Sequence, residues 1–261
     1  MKQIILFIAG AVFFVSCNNA SKSDAGAAAP MNTDLLQQNL KGKVKTVTQT
    51  SATIDSTGKE KSDSLTTVDS YDEKGYNTMS QTKNDSGKIT AETMAKHDSA
   101  GHVLEWVTNK DGKLASKLET ELDAAGNYVG GKSYDSTGKQ DGYYKELKQN
   151  EYGIVYAGKQ YSMNGKIKAD FNMKYDKTHF LGGKSTDSTG KVTYEGTAKV
   201  NDKGDMSEED VSYMEKDILK KEKNTYKYDA FDEKGNWTKR TKINDKGKPV
   251  QVVTRTFTYY N

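Results

Sequence analysis

Two interleaved series of glycines recur along this chain at a nearly constant interval, and they restrict its fold more than any other feature. The first series is Gly75, Gly101, Gly126, Gly153, a degenerate copy at His179, then Gly204 and Gly235, with spacings of 26, 25, 27, 26, 25 and 31. The second is Gly87, Gly112, Gly138, Gly165, Gly190 and later Gly247, and its first four spacings are 25, 26, 27 and 25. An internal repeat of about 26 residues with two turns per repeat follows. Three residues before most of these glycines stands Asp, Asn or Ser: Asp72, Asp98, Asp123, Asn150, Asp176, Asn201 and Asp232 in one series, and Asn84, Asn109, Asp135, Ser162, Asp187 and Asn244 in the other. Asp55 with Gly58 is an earlier copy. A short polar side chain at the start of a turn accepts from backbone N–H groups further on, and glycine supplies the positive φ that closes it. The pairs Asp72–Gly75, Asp123–Gly126, Asp135–Gly138, Asp187–Gly190 and Asp232–Gly235 are therefore read as structural turns.

Apolar or aromatic residues flank the turns, four before the glycine (Tyr71, Leu122, Tyr134, Phe231) and two after it (Val103, Tyr128, Val155, Trp237). In a hairpin these positions meet across the strands, each pair contributing about 0.2–1 kcal/mol. Between turns lie about seven to nine residues rich in Thr, Tyr, Lys and Val, a strand length. Composition agrees: 34% hydrophobic residues, 16 Tyr against 7 Phe, and only 2 Pro suit strands with a wet face. The expected fold is all-β, a single-layer antiparallel meander of about fourteen strands over residues 43–261, with one turn series along each edge. A twisted sheet of that size curls, with the flanking apolar residues on its concave side. Where the spacing grows to 31, two longer strands are expected at 207–214 and 218–228, with a helix over 207–223 as the competing reading.

The N-terminus reads as an address. Lys2 precedes the apolar run 4–15, too short to span a bilayer as a helix. It ends in Phe14-Val15-Ser16-Cys17, which resembles a bacterial lipobox; the resemblance implies cleavage after Ser16 and lipidation of Cys17. Residues 17–32 form a small, polar tether, and 33–42 a short helix or lead-in. Cys17 is the only cysteine, so the chain holds no internal disulfide. Without residues 1–16 the formal charge falls from +3 to +2, since only Lys2 is lost, and no basic stripe points to nucleic acid.

The units 71–77 (YDEKGYN), 122–128 (LDAAGNY) and 231–237 (FDEKGNW) resemble the YD repeats of the RHS family, and 134–139 (YDSTGK) resembles MORN-type hairpin repeats. This resemblance implies repeating hairpins in a long, curling sheet and implies no activity.

Chemistry is sparse. Single carboxylates per turn do not make a calcium loop, His97, His102 and His179 stand apart, and neither a nucleophile elbow nor a phosphate loop is present. No metal, cofactor or catalytic residue is expected. The candidates for binding are Trp106, Tyr143 and Tyr144. Trp106 stands five after its glycine, on the face opposite the apolar slot if the strand is regular. The expected function is a non-catalytic lipoprotein of the outer membrane, facing the periplasm or the cell surface, that presents an extended β surface to an envelope protein or glycan. An antitoxin or immunity-like module and a glycan-active hydrolase are the alternatives.

Overall fold

The computed structural model describes residues 33–215 and 217–261. The proposed signal peptide, tether and Cys17 lie outside them. One short helix, α1 (Asp34–Gln37), precedes sixteen strands. These are β1 (Val44–Ile54), β2 (Glu60–Tyr71), β3 (Asn77–Asn84), β4 (Ile89–His97), β5 (Val103–Lys110), β6 (Lys113–Leu122), β7 (Tyr128–Tyr134) and β8 (Gln140–Gln149). They continue as β9 (Val155–Ser162), β10 (Ile167–Asp176), β11 (His179–Asp187), β12 (Val192–Val200), β13 (Met206–Glu215), β14 (Ile218–Phe231), β15 (Trp237–Asn244) and β16 (Pro249–Tyr259). The two longer strands expected at 207–214 and 218–228 are present as β13 and β14, and the competing helix over 207–223 is not.

Each strand pairs antiparallel with its sequence neighbours, and β1 pairs with β16, so the meander closes into a barrel. About fourteen strands were expected, and the closed sheet has sixteen. Closure satisfies both edges, which an open sheet leaves with unpaired N–H and C=O groups. At the seam Val47 faces Phe257 and Gln49 faces Arg255, while Thr46 and Thr258 meet outside with hydroxyls 2.6 Å apart.

The hairpins share one local geometry. Asp72 shows it: its Oδ1 accepts from the backbone N–H of Lys74 at 3.0 Å and of Tyr76 at 2.9 Å, while Gly75 N donates to Asp72 O at 3.0 Å. Asp123, Asp135, Asp187 and Asp232 accept in the same way beside Gly126, Gly138, Gly190 and Gly235. The residues four before and two after the glycine pair across the ladder, as in Leu122 with Tyr128 and Phe231 with Trp237. Immediately beyond, the register shifts: Tyr71 faces Asn77 but Ser70 faces Met79, so Thr78 is an unpaired bulge residue. Leu104, Thr90 and Thr193 occupy the same place three after their glycines. The bulged Thr78 and Thr90 hydroxyls donate to Ser70 O and Thr82 O on the partner strands, at 3.3 and 3.2 Å.

The bulge inverts the alternation. In the first turn series the apolar slot two after the glycine and the residue five after it come to share a face, and that face is the inside, as with Val103 and Trp106; in the second series the same two positions, such as Gln140 and Tyr143, face outward. One inner arc is apolar and aromatic, with Leu118, Tyr128, Tyr144, Val155, Phe171, Met173 and Tyr194 as its buried cluster. Glycines within the strands make room for these rings. Gly158 pairs with Phe171, and a Cβ there would stand 2.5 Å from Leu147 and 3.0 Å from the Phe171 ring. The outer rows are polar: Thr46, Thr48 and Thr50 beside Thr254, Thr256 and Thr258 at the seam, and Glu208, Asp210 and Ser212 beside Lys223 and Lys221 on β13–β14.

The lead-in 33–43 crosses the end of the barrel that carries the first turn series. Asn77 N donates to Asp34 Oδ2 at 2.6 Å, Asn39 Nδ2 to Asp205 Oδ1 at 2.8 Å, and Lys41 N to Asn236 Oδ1 at 2.7 Å. Leu40 joins Val44, Val47 and Tyr71 in a second buried cluster beneath it. This segment plugs that end of the barrel.

Candidate functional site

The inner arc from β13 through β16 to β1 and β2 differs from the aromatic one: here the register turns charged side chains inward. Glu209 faces Asn224, Val211 faces Glu222, Tyr226 faces Lys242, and Tyr228 faces Arg240. Lys242 Nζ lies 2.9 Å from Glu222 and 3.4 Å from Glu209. Tyr213 donates to Glu222 at 2.7 Å, and Tyr226 to Glu209 at 2.5 Å. Burial pushes the Glu222 carboxyl up, but hydrogen bonds from Lys242 and Tyr213 outweigh it and leave the group below its ordinary range. Burial, the Glu209 charge and the hydrogen bond to it hold the Tyr226 phenol protonated well above its usual range.

Deeper, next to the plugged end, two guanidiniums share one indole. Trp237 is buried at 6% exposure. The Arg255 Cζ stands 3.8 Å and the Arg240 Cζ 4.8 Å from its ring centroid, and Arg240 also lies 4.6 Å from the Tyr226 ring. Arg255 Nε donates to Gln49 Oε1 at 2.9 Å. The Arg240 Nε is buried without a hydrogen-bond partner. Burial first, and then the Arg240 charge, push Arg255 down to about 10, so it stays protonated at neutral pH. Among the described residues no carboxylate forms an ion pair with either guanidinium; Asp69 acts on Arg255 from further away, its own carboxyl raised by burial. Arrayed guanidiniums and aromatic faces of this kind bind oxyanions and flat ring systems.

The sequence-derived candidates do not converge. Trp106 faces inward, paired with Leu118 and packed on the aromatic cluster, because the bulge at Leu104 returns it to the same side as Val103. Its expected place on the opposite face is corrected. Tyr143 and Tyr144 are neighbours in one strand and so point to opposite sides. Tyr144 is buried at 4% exposure, which corrects its assignment as an exposed contact. Tyr143 points outward and stacks on Tyr161 with centroids 5.2 Å apart. At 231–237, Trp237 is core, whereas Phe231 is 37% exposed beneath Lys203. His179, where the repeat degenerates, lies against Gly204 of the next turn on that edge.

Arg240 and Arg255 escaped the sequence reading. Their signal was rarity: of the chain's 39 basic residues, these are the only two arginines. Nothing in the sequence showed that β15 and β16 bring them to one indole.

No protein-family model and no curated protein matches this chain. Among solved structures, a porin-like protein from Bacteroides uniformis is similar over 84% of this chain and 98% of its own, with 13% identity and a TM-score of 0.54. TcdB2–TccC3 matches 70% of this chain at 13% identity with a TM-score of 0.31, and the match spans only 12% of its own length. A LolA superfamily protein from Nitrosomonas europaea matches at 8% identity, covering 90% of this chain and 95% of its own, with a TM-score of 0.25. The last two scores bear no argument, and the first likeness is one of fold alone: the chain is an all-β, repeat-built antiparallel barrel.

Proposed function

We propose that this chain is a non-catalytic binding protein of the cell envelope that holds its ligand on the inner wall of its barrel. Residues 1–16 serve as signal peptide, a lipid on Cys17 anchors the protein to the outer membrane, and 17–32 are the tether. The reading rests on one observation, the sidedness of the wall. The outer rows at the seam and on β13–β14 are Thr, Lys, Glu, Asp and Ser, whereas Trp106, Tyr144, Tyr226, Tyr228 and both arginines face inward. The open sheet expected from the sequence would offer an extended face to a protein or glycan; a closed barrel selects a ligand small enough to enter it. Metabolic labelling with an alkyne fatty acid tests the anchor: Cys17→Ala should lose the label. A thermal-shift panel of sugars, organic acids and phosphate esters tests the binding. A ligand found there should bind Tyr143→Ala, which strips the outer aromatic stack, as well as the parent. Loss of binding in Tyr143→Ala would return the site to the outer wall.

A further inference from the structure

We infer that Arg240 and Arg255 form a binding site for the carboxylate of a small organic anion, with Trp237 and Tyr226 against its body. The inference rests on the inner-wall reading above and names the ligand class. Two guanidiniums stand within 5 Å of one buried indole centroid, at 3.8 and 4.8 Å. Lys242, on the same arc, is already neutralised by Glu209 and Glu222. The arginines are not: among the described residues neither forms an ion pair, and Asp69, which acts on Arg255, is itself hydrogen-bonded to Ser80. Like charges held together out of water are costly unless an opposite charge joins them. The unpartnered group is a specific one, the Arg240 Nε. In a guanidinium, Nε–H and one Nη–H point along parallel lines, the spacing of two carboxylate oxygens. The Arg255 Nε is occupied by Gln49, which fixes the orientation of that guanidinium. The rings supply flat apolar surface beside the charge, so an aromatic or unsaturated carboxylate fits better than a bare ion. Phosphate lacks that body and is the comparison.

Trp237 is the reporter. The chain's other tryptophan is Trp106, so full-length Trp106→Phe isolates the Trp237 emission. Benzoate is titrated against it, with methyl benzoate as the uncharged isostere and inorganic phosphate as the bare oxyanion. Expected is a saturable emission change with benzoate, weaker with phosphate and absent with the ester. Arg240→Gln should weaken benzoate roughly tenfold or more, the loss of a charged hydrogen-bonded pair. Arg240→Lys should recover only part of it, because an ammonium has no fork. Circular dichroism and melting confirm that each variant folds; should Arg240→Gln fail to, the ester-against-benzoate comparison in the parent decides. Equal response to ester and benzoate, no saturable response, or unchanged affinity in a folded Arg240→Gln would overturn the site. A neutral panel ligand that binds Tyr143→Ala and ignores Arg240 would leave the inner-wall reading standing and sink this one. Benzoate binding that needs Arg240, beside panel ligands that all depend on Tyr143, would do the reverse.

Discussion

Gly101 and Gly58 have the same left-handed backbone, with φ of +90° and +84°, but different surroundings. A Cβ on Gly58 meets nothing within 4 Å, whereas one on Gly101 would overlap the phenol of Tyr76. Tyr76 is buried, stacks on His97 at 5.3 Å, and donates to Ala100 O in the neighbouring turn. Gly58→Ala should therefore cost only the backbone strain, about 1–2 kcal/mol. Gly101→Ala adds displacement of a packed ring and should cost about 3 kcal/mol or more. Urea melts of the two variants give the comparison; equal losses would mean that turn-to-turn packing along this edge contributes nothing. The sequence marks both glycines identically, since the Asp-x-x-Gly pattern encodes the turn and not what the next turn places against it.

At the scale of elements, the docking of the plug depends on pH. Asp34, in α1, is raised from 3.8 to about 6, chiefly by burial against the barrel end, with Asp72 adding and the Asn77 N–H opposing. A carboxyl with a higher pKa folded than unfolded binds its proton more tightly when folded. Its contribution is thus fully present below about pH 4 and is lost as pH rises through 6, about 3 kcal/mol at most for a shift of roughly two units. Asp34→Asn keeps an acceptor for Asn77 and removes the ionisation. Its melting temperature should exceed the parent's at pH 7 and vary less between pH 4 and 7. Identical pH profiles for the two proteins would show that Asp34 is not buried against the barrel end. The short lead-in was legible from Thr33, the Leu pattern and Gly42, but its docking was not, because it depends on hydrogen bonds to turns up to 195 residues away.

For the whole molecule the decisive bond is the seam. Thr46 and Thr258 lie 212 residues apart in sequence and touch through their hydroxyls. Cysteines at both positions should crosslink under mild oxidant in the folded protein, with the native spectrum unchanged. The closed loop is long, so the crosslink should stabilise by as much as about 5 kcal/mol. The chain's own Cys17, blocked if lipidated, is the only other thiol. A folded protein whose two cysteines stay reduced would be an open sheet. Non-reducing electrophoresis separates the outcomes.

The sequence by itself determined the local units. Asp and Gly at fixed spacing dictate the turn, the spacing between turns dictates strand length, and flanking apolar residues dictate which positions pair, all through contacts within one hairpin. That information reaches about 26 residues, the length of the repeat. Only the tertiary structure decided the rest. The bulge three residues after the glycine moved Trp106 inside; it comes from the fit of two twisted strands, not from the residue type at that position, which is Thr, Leu, Val, Ala, Asp, Tyr or Lys as the hairpin varies. Closure joined β1 to β16 because an unpaired edge is costly wherever it falls. That same closure set Gln49 of the first strand against Arg255 of the last and completed the surroundings of Trp237. A site made by the first and last strands of a closed sheet is written in no single repeat.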